Sequence, residues 1–306
     1  MKKALILGAD GFVGRYLSRE LKDNGYQVIA SSRRGEYPCD ILNSEQLRDL
    51  IGQEKPDTVF HLAAQSSVAK SWNDPAQTFD VNVKGTIHLL EILRRVTWPV
   101  RTLFVGSSDQ YGKTAKSPSA MLDERTPLNP STPYAISKCT QEALGTLYAH
   151  TYGLDLLFTR SFNHIGAGQQ MGFAVPDFIH EILEVEAGHK KAAKVGNLSA
   201  KRDFTDVRDV VCAYRMIAEQ GRSGEVYNVG CGKAYSMQEI FDYLCTLSPA
   251  EIPVEIAPEK MRPVDVPVQI CDSRKLCSET GWRPAIDLKH SLRDMMHESR
   301  TRKKDF

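Results

Sequence analysis

Through the first half of the chain, short apolar runs alternate with longer stretches whose apolar positions follow a helical period. Ala4–Leu7, Gln27–Ser31, Thr58–His61, Arg101–Gly106 and Leu154–Arg160 are the short runs, with the look of strands buried on both faces. Helical patterns separate them at Phe12–Asn24, Ser44–Ile51, Ala76–Val96 and Pro133–Tyr152. This alternation predicts a parallel, doubly wound α/β sheet, which takes ligands at the carboxyl ends of its strands. Past residue 165 the rhythm breaks into glycine-rich turns, charged stretches and isolated helices at Phe178–Ala187 and Ser236–Leu247. We expect one domain over 1–165 and a smaller lobe over 166–306. The chain should return to the first domain around 204–230 and 264–277.

Glycine marks the first strand-to-helix turn. Gly8-Ala9-Asp10-Gly11-Phe12-Val13-Gly14 stands directly behind Ala4-Leu5-Ile6-Leu7. Glycine serves where the backbone reverses, where it approaches a ligand and where helix packs on strand. The unpaired N–H groups and positive end of the following helix suit a pyrophosphate. Alone, the segment is also readable as a plain turn. Much further on, Tyr134-Ala135-Ile136-Ser137-Lys138 sets a lysine four residues after a tyrosine, and of eleven tyrosines only Tyr134 has one there.

Glycines spaced three and three, followed by this tyrosine–lysine pair, resemble the extended branch of the short-chain dehydrogenase/reductase superfamily, in its NAD-dependent epimerase/dehydratase family. The resemblance implies an α/β chain with a Rossmann doubly wound parallel sheet and a smaller mixed α/β substrate lobe. It also implies a nicotinamide dinucleotide held by Gly8, Asp10, Gly11, Phe12, Val13 and Gly14.

The end of the second strand reports on that cofactor. A carboxylate there would hold the ribose 2′-hydroxyl of NAD, whereas basic residues accommodate the 2′-phosphate of NADP. Ser31-Ser32-Arg33-Arg34 supplies two arginines, and the first carboxylate is Glu36. Arginine forks suit phosphate, so NADPH is the expected cofactor and NADH the alternative. Two arginines on a surface loop are also readable as merely solvated. Asp40-Ile41 resembles the family's adenine-contacting pair. His61-Leu62-Ala63-Ala64 and Asn82 match its next motif and its helix-borne asparagine, and Phe162 joins the implied cofactor contacts.

Catalytic chemistry follows from acid–base arguments. Residues four apart share a helix face, which brings Lys138 towards the Tyr134 phenol. A phenol titrates at roughly 10 in water. A neighbouring ammonium, helped by the nicotinamide charge, is expected to lower that value, so that Tyr134 exchanges a proton with a sugar hydroxyl or ketone. Ser107, in Gly106-Ser107-Ser108-Asp109-Gln110-Tyr111-Gly112, would hold the same oxygen, although a serine at a strand end is also an ordinary helix cap.

Further segments resemble the substrate-binding blocks of the family's nucleotide-sugar enzymes. Arg160-Ser161-Phe162-Asn163-His164-Ile165-Gly166 is one, with Asn163 on the substrate diphosphate. Val195-Gly196-Asn197-Leu198, with Lys201-Arg202-Asp203-Phe204-Thr205-Asp206, is a second, with Asn197 and Arg202 as contacts. Arg262-Pro263-Val264-Asp265 is a third, flanking the nucleoside through Arg262 and Asp265. Ser66, Ser67, Ser107 and Ser108 complete the implied sugar contacts. Phe173, Val175 and Asp177 lie where the family packs the base. Asp177 could accept from a guanine, or could be a helix-start acid balancing the dipole.

The resemblance runs nearly end to end and is closest to the branch's reductases of GDP-linked 6-deoxy-hexoses, implying reduction of a C4 ketone. The related 4,6-dehydratases are the main alternative. They carry a glutamate where this chain has Asp109, and a long arginine-bearing loop where only a few residues separate Arg34 from Asp40. A UDP-hexose 4-epimerase would want an acid near Ser31–Arg34, and a catalytically silent NADP(H) sensor would not need Ser107, Tyr134 and Lys138.

Composition narrows the rest. The 306 residues carry a formal net charge of +1, with no lysine–arginine block to suit nucleic acid or an acidic membrane. The apolar run before Gly8 is too short for a signal-peptide core. Seven cysteines without CxxC spacing read as reduced thiols of a cytoplasmic protein, with no structural metal. The branch pairs through a four-helix contact, here from Ala76–Val96 and Pro133–Tyr152. Leu89, Leu90, Ile92, Leu93, Ala143, Leu144 and Leu147 would supply its apolar surface, part of it facing the protein's own sheet, so a homodimer is expected.

Overall fold

The computed structural model describes residues 1–114, 120–261 and 266–304. Its strands begin with β1 (Lys3–Leu7), β2 (Gln27–Ser32), β3 (Tyr37–Pro38), β4 (Thr58–His61), β5 (Arg101–Ser107), β6 (Met121–Leu122) and β7 (Leu156–Ser161). They continue with β8 (Asn163–Ile165), β9 (Ala193–Val195), β10 (Lys201–Asp206), β11 (Val226–Val229), β12 (Ala234–Ser236), β13 (Val254–Ile256) and β14 (Val268–Cys271). The α-helices of the first half are α1 (Phe12–Asp23), α2 (Ser44–Glu54), α3 (Val68–Asn73), α4 (Pro75–Phe79), α5 (Gly85–Leu93) and α6 (Pro133–Tyr152). Those of the second half are α7 (Ala174–Glu186), α8 (Val207–Gln220), α9 (Met237–Thr246), α10 (Arg274–Thr280) and α11 (Leu288–Lys304).

Seven parallel strands form the main sheet in the order β11-β7-β5-β4-β1-β2-β3. Strand side chains alternate between two cores. Ala4, Ile6 and Phe60 join Leu17 and Leu21 of α1 and Val210, Tyr214 and Ile217 of α8. Leu5, Leu7 and Val59 join Leu47 and Ile51 of α2 and Leu89, Leu90 and Leu93 of α5. The direction of winding reverses between β1 and β4, which opens a crevice beyond their carboxyl ends. Over it lies a second sheet, β12-β10-β14-β6 with β8 on β10. A third core, from α7, α9 and α11, backs that lobe.

Two sequence expectations change in the structure. The helix expected over Ala76–Val96 is α4, one turn of π-helix at Asp80–Lys84, and α5. The wider turn accommodates Asn82, whose buried amide bonds chain segments outside its own helix. Helix α7 starts at Ala174, ahead of the expected Phe178, because Pro176 falls in the first turn, where no intrahelical N–H is required. The apolar face expected for subunit pairing is divided between the protein's own sheet and the surface. Leu89, Leu90 and Leu93 face the protein's own sheet, while Leu147 stands 57% exposed, with Ile136 and Ile87 also exposed.

Gly112 admits no side chain. Gly112 closes the short 3₁₀ turn Ser108–Tyr111 at φ +54° and ψ −130°. A Cβ there would stand 1.7 Å from the Asn129 carbonyl oxygen. Gly112→Ala should lower stability by about 3 kcal/mol, read as a fall in the denaturant midpoint. An unchanged midpoint would contradict the packing described.

Candidate active site

The crevice begins as a backbone cradle. Gly8 has φ +89°, and a Cβ on it would lie 2.9 Å from the Ala63 nitrogen. A Cβ on Gly14 would lie 2.5 Å from the Gly8 carbonyl oxygen. Gly8 and Ala9 both donate their N–H groups to the Ser31 carbonyl, tying the loop to the end of β2. No side chain caps the start of α1 at Gly11, the arrangement by which a helix start can take a phosphate on its first-turn N–H groups.

Around this cradle the remaining cofactor-type residues take distinct positions. Arg33 and Arg34 stand exposed just past β2, beside buried Ser32. The Asp40 carboxylate accepts from the Leu42 N–H at 2.9 Å, so it shapes its own turn. Ile41 packs against Gly85. Leu62 donates its N–H to the Leu7 carbonyl, and Ala63 and Ala64 follow it at the crevice. Phe12 stacks on His164. The ring of Phe162 is enclosed with Tyr111, Leu122 and Cys271, which leaves it a packing role.

The reacting groups converge from two elements. Strand β5 ends at Ser107, whose hydroxyl accepts from the Asp109 N–H at 3.2 Å and lies beside the Tyr134 phenol. Helix α6 starts beside it, capped by the Thr132 hydroxyl on the Ala135 N–H at 3.0 Å, with Pro133 in its first turn. Asn82 anchors the same helix, donating to Ser137 Oγ at 2.9 Å while bonding the Gln65 backbone in both directions.

Lys138 departs from expectation. Its ammonium donates to the Val105 carbonyl at 2.7 Å and to Gln141 Oε1 at 3.0 Å, and not to the phenol. Burial pushes the Lys138 amine down to about 7. Burial also raises the Tyr134 phenol well above its ordinary value, with the Asp109 charge adding to the rise and the neighbouring Ser107 hydroxyl opposing it. The cause is desolvation, which penalises whichever form carries charge. A polar residue three positions after Lys138, on the inward face of α6, is the signal by which Gln141 was findable in the sequence.

The sugar-side residues are more scattered. Ser66 is exposed, Ser67 caps α3, and Ser108 is buried beside Asp109. Asn163 opens β8 opposite Phe204. Asn197 accepts from the N–H and hydroxyl of Ser199. Arg202 is nearly buried on β10 and donates to the Lys201 carbonyl. Phe173 is partly exposed at the start of α7, whereas Val175 is buried in the lobe's core. Asp177 lies in the first turn of α7 and accepts from the Gly172 N–H at 2.8 Å. Arg262 and Asp265 lie outside the described residues.

The family model for GDP-mannose 4,6 dehydratase matches residues 5–295. The chain belongs to the GDP-mannose 4,6-dehydratase family. Its fold is accordingly that of an extended short-chain dehydrogenase/reductase. Relatives within reach of this family include the GDP-6-deoxy-D-mannose reductase of Pseudomonas aeruginosa, 33% identical over 98% of this chain and 99% of that protein. The GDP-mannose 4,6-dehydratase of Vibrio cholerae is 26% identical over 97% of this chain and 93% of that protein. Among solved structures, RMD from Pseudomonas aeruginosa complexed with NADPH superposes with a TM-score of 0.89, at 32% identity over 98% of this chain and 100% of that one.

Beneath the site, His61 is fully enclosed, with Nε2 3.4 Å from Thr86 Oγ1 and Nδ1 without a partner. Burial first, then the Lys138 charge, depress it to about 3. Between its unfolded value of roughly 6.5 and about 3, the unfolded chain binds a proton that the fold refuses. Stability therefore falls as pH drops through this window. Denaturant midpoints at pH 6.5 and pH 4 should differ more in the wild type than in His61→Leu; equal differences would contradict the assignment.

Proposed function

We propose that this chain reduces the C4 ketone of GDP-4-keto-6-deoxy-D-mannose to GDP-D-rhamnose, with NADPH as reductant. Membership of the family supports the broader class, a nicotinamide-dependent enzyme acting on a nucleotide sugar. The observation that carries the narrower reading is the end-to-end alignment with a GDP-6-deoxy-D-mannose reductase, in a chain that sets the Ser107 hydroxyl beside the Tyr134 phenol.

The glycine cradle at Gly8, Gly11 and Gly14 would hold the dinucleotide phosphates, and Arg33 and Arg34 the 2′-phosphate. Bound there, the cofactor supplies a hydride to C4. Tyr134 then has one task, to give its proton to the C4 oxygen as negative charge grows on it. A donor must start protonated, and burial holds the phenol in that form. Ser107 orients the same oxygen, and Lys138 supplies a nearby cation when protonated. Asn163, Asn197, Arg202, Arg262 and Asp265 would bind the GDP moiety, and two copies would pair through α5 and α6, where Ile87, Ile136 and Leu147 are exposed.

A second reading, 4,6-dehydration of GDP-mannose, is favoured by one observation: the Asp109 carboxylate stands close enough to act on the phenol. Dehydration needs a base for the C5 proton and an acid for the C6 hydroxyl. Aspartate is one methylene shorter than the glutamate the dehydratases use, which favours reduction.

The test is NADPH oxidation with GDP-4-keto-6-deoxy-mannose, with product identification. Tyr134→Phe should cut turnover by roughly 10²-fold or more. A 4-keto-6-deoxy product formed from GDP-mannose with no added dehydratase would replace the reductase reading with the second one. Replacing Arg33 and Arg34 together with Ala should raise the KM for NADPH about tenfold and leave that for NADH unchanged; equal effects on both would remove the 2′-phosphate assignment.

A further inference from the structure

A second set of buried polar groups meets Ser107 from behind. The Ser107 N–H donates to Gln110 Oε1 at 2.9 Å, and Gln110 Nε2 donates to Glu142 Oε2 at 2.8 Å. Glu142 lies nearly buried on α6, in a fork with Arg160, whose Nε reaches Oε2 at 3.0 Å and Nη2 reaches Oε1 at 2.5 Å. The remaining Arg160 nitrogen donates to the Tyr111 hydroxyl at 3.1 Å and the Glu124 carbonyl at 3.0 Å. Gly106 makes room for the arrangement, since a Cβ on it would fall 2.5 Å from Gln110 Oε1.

The chemistry of each group fixes the next. A carboxamide has two orientations of similar shape, one offering oxygen to Ser107 and the other an NH₂ group. A carboxylate only accepts, so Glu142 holds Gln110 with its nitrogen inward and its oxygen on the Ser107 N–H. The buried carboxylate needs a charged partner, which the bidentate arginine provides. Tyr134, Lys138 and Glu142 follow at intervals of four on one helix face. The helix that carries the phenol therefore also carries the group that orients the Ser107 loop. Beside the Lys138–Val105 hydrogen bond, the Ser107 N–H is linked through Gln110 to Glu142, which ties the end of β5 to α6 where the Ser107 hydroxyl lies beside Tyr134.

We propose that Gln110 and Glu142 are positioning residues that set the Ser107 hydroxyl against the Tyr134 phenol, with Arg160 holding the carboxylate. This rests on the reading above, in which Ser107 and Tyr134 serve the reaction. Gln110→Met keeps the side chain's length and removes both hydrogen bonds. Glu142→Asp keeps the charge on Arg160 and withdraws the carboxylate from Gln110, so it tests the same link if Gln110→Met fails to fold. Each should lower kcat about tenfold while the KM for NADPH stays within about twofold. In a Ser107→Ala background the same changes should alter kcat by less than about twofold, because two residues acting through one hydroxyl are not additive. A full loss in that background, or kcat within twofold of wild type in the single variants, overturns the proposal.

Hydrogen–deuterium exchange at the Ser107 amide gives a readout that needs no sugar. Glu142→Asp should speed it about tenfold relative to wild type; unchanged exchange overturns the proposal whatever the substrate. A wild type that turns over neither nucleotide sugar, with exchange still coupled to Glu142, retires the reductase reading and leaves the positioning role standing.

Discussion

At the carboxyl end of β1 the backbone of Gly8 lies so close to Ala63 that a methyl group on it would stand 2.9 Å from the Ala63 nitrogen. The same loop admits Gly14 of α1 only because nothing projects towards the Gly8 carbonyl. Strand β1, the loop after β4 and the start of α1 are therefore locked at backbone distance. That lock fixes where the sheet reverses its winding, and the reversal fixes where a ligand can enter. The side chains of the site are hung on this frame, and a shift in it would move every one of them.

Helix α6 is held by a comparable close approach. A Cβ on Gly145 would meet the Phe158 ring at 2.4 Å, so the helix lies against β7 more tightly than any other residue there would permit. Its polar side chains then enter the protein and must find partners. Asn82 satisfies Ser137, and Val105 and Gln141 satisfy Lys138. Gln141 passes the chain on to Thr86, and Thr86 to the Asn82 carbonyl. The π-turn at Asp80–Lys84 belongs to this network, because its extra width lets Asn82 face inwards.

Periodicity made the central strands and helices readable, since strands buried on both faces are apolar almost throughout, and α6 runs over the residues its pattern predicts. The glycine loop was readable for a similar reason: a missing Cβ is written in the residue itself. What escaped depends on partners distant in sequence. Nothing near Asn82 announces that Gln65 and Ser137 will widen its helix. The Lys138 spacing correctly sets it on the face of Tyr134, yet the Val105 carbonyl, thirty-three residues earlier, decides where the ammonium goes. The ring of Phe162 packs in a small core with Tyr111, Leu122 and Cys271, partners that no local pattern around it announces.

Desolvation explains why the two principal titrating groups move in opposite directions. The same enclosure that raises the Tyr134 phenol depresses the Lys138 amine to about 7, since one becomes charged by losing a proton and the other by gaining one. A phenol so placed keeps its proton until something in the crevice makes a negative charge worth stabilising. An anionic group entering near Lys138 favours the ammonium, and an ammonium in turn eases ionisation of the phenol. The readiness of Tyr134 to give up its proton is in this way tied to occupancy of the crevice.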